Sequence, residues 1–449
     1  MSLTPSIPNL SSIRFDDPLP EAVDVTVIGG GIVGVSTAWF LARRGLRVAL
    51  VEKGRIAGEQ SSRNWGWIRQ QGRDPAEIPI AMESRRIWEG LARETGERDL
   101  TFTASGCLYL SDDPQSLAGH EAWRERAKEY QLDTEMLSAE QAKAAAPGIE
   151  GPWVGGLLTK SDGRAEPFVA VPALARAAQR IGVRITEGCA ARTIESEKGE
   201  VRALHTERGR IRCERVALTA GVWTSIFARN LGLDLPQLGV RSSVGRTGPA
   251  PDRGLPNLFA PGLALRRRKD GGYTITTGDI AEHYLGWNSL KYAIKYLPLL
   301  RKAKRDVRVR LKTPADWPGA WGAKRRWNAE EISPFERMRI LDPSPSALVK
   351  RRLLESLRRY APWLLQAGIA DFWAGVIDVS PDAVPYLCHA PSPAGLVIGT
   401  GMSGHGFGIG PAAGRILADL VQNRPAGHDL SRFRFERFSD GSAVIPGPY

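Results

Sequence analysis

Val25-Thr26-Val27-Ile28-Gly29-Gly30-Gly31-Ile32-Val33-Gly34 carries the reading of the fold. Four β-branched or aliphatic residues give the composition of a buried parallel strand. The glycines at 29, 31 and 34 have the G-x-G-x-x-G spacing. The first lets the strand turn sharply, the second lets backbone approach a pyrophosphate, and the third lets the following helix pack close to the sheet. That helix, running on through Ala38-Trp39-Phe40-Leu41, aims its N-terminal N–H groups at the phosphate. A second strand, Arg47 to Val51, ends in Glu52, an acid placed to accept from both hydroxyls of a ribose and to repel a 2′-phosphate. Strand, turn, helix, strand and acid together predict a site for a dinucleotide.

Working outward, the C-terminal part of the chain repeats the pattern. Leu396-Val397-Ile398-Gly399 reads as a short buried strand, Thr400 to Gly408 as a glycine-rich turn, and Pro411 to Val421 as an apolar-periodic helix. Two such units suit one cleft, so the first domain is expected to be interrupted by the second. Between them, Ala57 to Arg69 reads as an irregular loop laid against the cofactor. Asp74-Pro75-Ala76-Glu77 reads as a helix start, with Asp74 as cap, Pro75 in the first turn and Glu77 reaching back. Strands are expected at 101–110, 183–186, 192–196, 201–206 and 210–218, the last running into the small-residue turn Ala217 to Trp223. Helices are expected at 114–131, 138–146, 167–181 and 349–360. Residues 236–280 read as strands, 281–330 as irregular, basic and tryptophan-rich, and 1–21 as an extended, poorly ordered lead-in.

The 449 residues exceed what one core needs, and two domains are expected. Sixty-one basic against 49 acidic residues give a net charge of +12. Its densest run, Arg266-Arg267-Arg268-Lys269, precedes Asp270-Gly271-Gly272 and reads as a solvated hairpin end rather than a nucleic-acid surface. Cys107, Cys189, Cys213 and Cys388 lie far apart with no C-x-x-C pair, which argues against a metal site or a disulfide framework and suits a reducing compartment. No stretch resembles a signal peptide and no run of 18 apolar residues occurs, so a cytoplasmic protein without a membrane span is expected.

On Val25 to Glu52, the Leu218 to Trp223 turn, and Gly375 through Ser403-Gly404-His405-Gly406-Phe407, the chain resembles the FAD-dependent amino-acid and amine oxidoreductases of the D-amino-acid oxidase superfamily. The branch it is most similar to holds glycine oxidase, monomeric sarcosine oxidase and the opine-oxidase subunits. The resemblance covers nearly the whole chain. It implies a fold of α/β plus α+β type: a Rossmann-like FAD-binding domain (22–75, 150–235 and 371–449) interleaved with an antiparallel-sheet substrate domain (76–149 and 236–370). It places Gly29, Gly31, Ile32, Val33 and Gly34 at the pyrophosphate, and Glu52 with Lys53 at the adenosine ribose. Ser61, Ser62 and Arg63 follow the pyrophosphate and ribityl chain. Ala220, Gly221, Gly401, Met402, Ser403, Gly404, His405 and Gly406 complete the flavin site, and no metal is implied.

The reaction implied is hydride transfer from a C–H beside nitrogen to the flavin, followed by imine hydrolysis. It needs orientation and a dry pocket more than acid–base machinery. Where sarcosine oxidases attach flavin through a cysteine, this chain has none near Gly375, so FAD is expected to be non-covalent. Where they place a carboxylate-binding lysine, this chain has Gly408. Arg69 is then the candidate carboxylate partner. Trp65 and Trp67 are candidate walls for an amine, and His405 is a candidate either for shaping the turn or for moving a proton. The expected substrate is a small amine, amino acid or N-substituted amino acid. The electron acceptor is oxygen or, alternatively, a partner, with the chain a dehydrogenase or one subunit of an oxidase complex; a homo-oligomer is the further possibility.

Overall fold

The computed structural model describes residues 14–303 and 306–447. In chain order the elements that frame the site are β1 (Val25–Ile28), α1 (Ile32–Arg43), β2 (Val48–Val51), α2 (Ile78–Thr95), β3 (Arg184–Thr186), β4 (Arg215–Leu218) and β5 (Leu238–Thr247). They continue with α3 (Trp287–Lys302), β6 (Ile369–Val379), β7 (Tyr386–His389), β8 (Leu396–Thr400) and α4 (Gly406–Val421).

Six strands form one sheet in the order β7–β8–β4–β1–β2–β3. β1 pairs in parallel with both β2 and β4, Val25 standing opposite Val48 and Arg215. All four side chains of β1 and of β2 are buried, because α1 and α4 cover one face of the sheet and a three-stranded antiparallel sheet (Ala191–Glu197, Glu200–Thr206 and Gly209–Arg212) covers the other. β7 runs antiparallel at the edge. α1 and α4 pack together on one face, with Trp88 of α2 buried beside Phe407. A second, ten-stranded sheet is built around the long antiparallel pair β5–β6, in register from Leu238 opposite Val379. The α/β plus α+β architecture read from the sequence is the architecture observed.

Several local expectations change. Residues 281–330 are not irregular: they hold α3, and the strands Ile280–Tyr284 and Asp306–Arg310 flank it. Pro298 inside α3 hides the helical period. Of the lead-in, residues 1–13 lie outside the described residues, whereas 14–21 are tied down. Phe15 is buried, and Asp17 exchanges bonds with Ile185 through both its backbone N–H (3.1 Å) and its carboxylate (2.8 Å). Residues 210–218 form two strands in different sheets, Gly209–Arg212 and β4. α4 begins at Gly406, five residues before the expected proline start. α2 begins at Ile78, and Glu77 does not reach back to a cap. Within the expected irregular loop, Gln60–Arg63 make a helical turn and Trp67–Ile68 a short strand opposite Arg164 and Gly163.

The Arg266–Lys269 run does form a hairpin, but not a solvated one. Arg266 is 1% exposed, held by both Glu166 oxygens (2.8 and 3.1 Å), and Arg268 pairs with Asp270. Strand alternation turns every second residue of the run inward, where Arg266 meets the part-buried Glu166 while Arg268 reaches the exposed Asp270. The strands Gly155–Thr159 and Ile369–Val379 sit in the ten-stranded sheet.

Candidate functional site

Two cavities meet beneath the C-terminal ends of β1, β2, β4 and β8, where ligands bind in open α/β sheets. The first encloses about 1190 Å³, part of it open to solvent. Its floor is the turn Ile28 to Val33. Gly29 has φ +108°, and a Cβ there would stand 2.6 Å from the Thr219 carbonyl oxygen; at Gly34 it would stand 2.0 Å from the Gly29 oxygen. Only glycine permits that turn and that closeness of helix to strand.

Glu52 lines this cavity. One oxygen accepts from the Gly30 N–H at 2.7 Å and the other from the Gly54 N–H at 2.7 Å. Loss of solvent pushes its carboxyl above the ordinary range, against the pull of Lys53 and those two donors. Ser61 Oγ accepts from the Ile32 N–H at the head of α1 (2.9 Å). Lys53 lies over the Trp223 ring at 4.5 Å and bonds Glu59, whose other oxygen accepts from Trp223 Nε1 at 2.9 Å. Ala220, Gly221, Met402, Gly404 and Gly406 stand in the same wall.

The far end of that wall depends on a residue that sequence reasoning does not single out. Asp378 Oδ2 accepts from the N–H groups of Gly401 (2.7 Å) and Met402 (3.2 Å) and from Thr400 Oγ1 (3.2 Å), which fixes the loop that enters α4. Burial raises its carboxyl above the ordinary range. The available signal was a lone acid in the otherwise apolar run Trp373 to Val379.

The second cavity, about 820 Å³, shares Gln60, Asn64, Gly404 and Phe407 with the first. It collects all four substrate-side candidates: Trp65, Trp67, Arg69 and His405. The two tryptophans meet edge to face at 5.2 Å. Arg69 donates to the Gln71 carbonyl and stacks over Tyr109 at 5.7 Å. Arg73, not singled out from sequence, lines the same cavity at 2% exposure. Its Nε reaches the Arg69 carbonyl at 3.3 Å, and its Nη1 is buried without a partner. Burial, then the neighbouring Arg69, pull its guanidinium down to about 9. Among the described residues no carboxylate lies within 4.0 Å of Arg69 or Arg73.

His405 bonds through Nδ1 to Glu77 Oε2 at 3.0 Å. Glu77 is fully buried, and burial pushes its carboxyl up to about 7 despite Arg73. Gly408, where a lysine was expected in relatives, packs against β-strand backbone: a Cβ would stand 3.1 Å from the Trp67 oxygen. Five other expected positions do not line the first cavity, Gly34 and Gly401 among them. Ser62 is buried and bonds the Glu59 carbonyl. Arg63 is spent on Asp342, the Ala374 carbonyl and the Gly58 carbonyl, and faces the second cavity. Ser403 also lines the second.

The first cavity suits a long, partly anionic cofactor. It has an acid at one end, a helix N-terminus and glycine turn midway, and Gln60 at the junction, whose buried Oε1 lacks a partner and would accept an N–H. A dinucleotide site opening onto a second pocket defines a cofactor-dependent enzyme. A family model described as FAD dependent oxidoreductase matches residues 24–420, and the chain belongs to that family.

Sarcosine oxidase subunit beta of Rhizobium meliloti (strain 1021) is 27% identical over 446 residues, covering 96% of this chain and 92% of its own. Mitochondrial sarcosine dehydrogenase of Mus musculus is 25% identical over 431 residues, 94% of this chain. This chain spans only 42% of that relative's length. Among solved structures, L-amino acid deaminase from Proteus myxofaciens in complex with anthranilate superposes with a TM-score of 0.89 at 30% identity, covering 95% of this chain and 96% of that one. The family read from the motifs is thereby borne out, and FAD is its cofactor. No helix of the described residues is long and apolar enough to cross a membrane.

Proposed function

We propose that the chain oxidises the carbon–nitrogen bond of an amino acid or N-substituted amino acid, giving an imine that hydrolyses. The observation that carries this reading is the second cavity: it shares a wall with the first and presents two arginines, neither of which has a carboxylate of the described residues within 4.0 Å. A substrate carboxylate supplies that charge in a charge-assisted pair. Bound FAD supplies a two-electron acceptor for the hydride on the carbon beside nitrogen. Trp65 and Trp67 wall the amine side and exclude water. His405, held at Nδ1 by Glu77, is placed to take the ammonium proton that must leave before the hydride does.

In the same reading Gly29, Gly31, Ile32, Val33 and Gly34 seat the pyrophosphate, and Glu52, Lys53 and Trp223 the adenosine end. Ser61 adjoins the pyrophosphate; Ala220, Gly221, Gly401, Met402, Gly404 and Gly406 surround the flavin end. FAD is held without a covalent bond to cysteine, since none of the four cysteines lines either cavity. The interleaved division into a cofactor-binding and a substrate-binding unit belongs to this proposal, with Gly155–Thr159 and β6 assigned to the latter. Four buried free cysteines support a reducing, cytoplasmic setting.

A second reading, transfer of electrons to a partner instead of oxygen, draws on the relatives named as a dehydrogenase and as an oxidase subunit. Anaerobic mixing with a panel of amino acids, N-alkyl amino acids and decarboxylated amines tests the lead reading through flavin absorbance. Bleaching is expected from carboxylate-bearing substrates; bleaching by simple amines alone overturns it. Readmitting air then separates an oxidase from a chain that passes electrons onward.

A further inference from the structure

One face of α3 has no partner among the described residues. The inner face is anchored: Tyr292, Tyr296 and Leu299 are buried, and Tyr296 OH donates to the Val379 carbonyl at 2.6 Å. The outer face carries Trp287 (41% exposed), Leu290 (60%), Ile294 (82%), Leu297 (42%) and Leu300 (51%). Positions 287, 290, 294 and 297 follow the i, i+3, i+7, i+10 spacing that makes one stripe along a helix. A contiguous apolar stripe of this size on a surface marks a binding face, since it contributes nothing to the fold it stands on.

The ends of the stripe are cationic. Trp287 packs edge to face on the exposed Trp321 at 5.2 Å and donates to its carbonyl at 2.9 Å, with the Arg325 guanidinium 5.4 Å above its ring. Beside it a recess of about 660 Å³ is lined by Arg229, Lys291, Arg325 and Arg326 against the single acid Asp234. Arg229 Nε and Nη2 are buried there without partners. Arg301, exposed, continues the stripe at the other end. A second copy of the chain is a poor occupant, because a two-fold contact would set these cations against their own kind. An anionic bilayer accepts both features: apolar side chains and tryptophans enter the interface while arginines meet lipid phosphates. Sixteen residues at about 1.5 Å each give roughly 24 Å, a helix that lies flat and does not span.

We propose that α3 is a membrane-surface helix, docking the enzyme on anionic lipid through Trp287, Leu290, Ile294 and Leu297, with Arg301, Arg325 and Arg326 on the headgroups.

The test is co-sedimentation of the full FAD-loaded chain with vesicles of phosphatidylcholine alone or mixed with phosphatidylglycerol. Binding is expected to the mixed vesicles, to weaken at high salt, and to fall by at least about 10-fold in Leu290→Glu/Ile294→Glu and in Arg325→Glu/Arg326→Glu. The milder Ile294→Ser is expected to bind intermediately. Flavin content should not change, since Leu290, Ile294, Arg325 and Arg326 are all exposed and line neither of the two site cavities. Failure of the wild type to bind mixed vesicles overturns the proposal, as does undiminished binding by the variants. A Leu290- and Ile294-dependent dimer in sedimentation velocity without vesicle binding overturns it too, and assigns the face to a second copy.

Discussion

Arg73 is a buried cation whose Nη1 has no partner, and a protein keeps such a group only where something else supplies the countercharge. Arg69 beside it is partly engaged already, through the Gln71 carbonyl. A charge-assisted bond contributes about 1.5–3 kcal/mol, so Arg73→Met should lower kcat/KM for the true substrate by about 10- to 100-fold. Arg69→Ala should lower it by at least about 10-fold, and Arg69→Lys should recover only part. Steady-state kinetics on flavin-saturated variants decide this; equal rates with a carboxylate-free amine in both are the expected control. Glu77 adds a pH dependence. Its folded carboxyl sits near 7 against an ordinary 4.5, so the folded chain holds a proton that the unfolded chain has lost. Its contribution is full below about 4.5 and disappears as pH rises to about 7. Relative to Glu77→Gln, the wild type should therefore lose stability at up to about 1.4 kcal/mol per pH unit across that window. Urea denaturation at pH 5, 6 and 7 measures it, and a constant difference between the two proteins would count against a titrating Glu77.

At the level of elements, the first glycine turn is where sequence and structure agree most closely, because each glycine answers one steric demand. Gly34→Ala places a Cβ 2.0 Å from the Gly29 oxygen, so α1 must lift from β1 and misplace its N–H groups. The variant should be insoluble or colourless; full flavin occupancy in a soluble variant would show that the close approach is dispensable. The β1–α1–β2 unit and α4 were legible because their apolar periods are long and their turns rich in glycine. α3 was not, because Pro298 and alternating lysines mask its buried tyrosine face. The inward turn of Arg266 was invisible for a different reason: Glu166 lies 100 positions away, and only the sheet brings them together. Site residues divide the same way. Glu52, Ser61 and Gly404 sit in motifs, whereas Arg73, Glu77 and Asp378 act through partners contributed by distant segments. Glu77 in particular has the spacing of a cap residue, and its carboxylate is drawn instead to His405, 328 positions on.

Across the whole molecule, the first cavity is walled by residues drawn from 28–33, 51–64, 219–223 and 376–407, with Ala191, Phe227 and Phe335, and both large sheets contribute. Cofactor and fold are consequently coupled: a ligand that bridges segments this far apart is bound by the folded chain and not by the unfolded one. At 100 times its dissociation constant such a ligand stabilises by about 2.7 kcal/mol. Adding FAD to flavin-depleted protein should raise the thermal midpoint in step with concentration, and NAD at the same concentrations should not, because in the proposed function the flavin end would lie by Gly404 and Phe407, which line both cavities. The purified protein should also be yellow, and heat or acid should release all its flavin to the supernatant, since Cys107, Cys189, Cys213 and Cys388 are buried away from both cavities. Flavin retained on the precipitated chain would mean a covalent link through some other residue of the wall. A thermal midpoint indifferent to FAD would mean that the cavity is complete without its cofactor, and that the two sheets hold together by their own contacts alone.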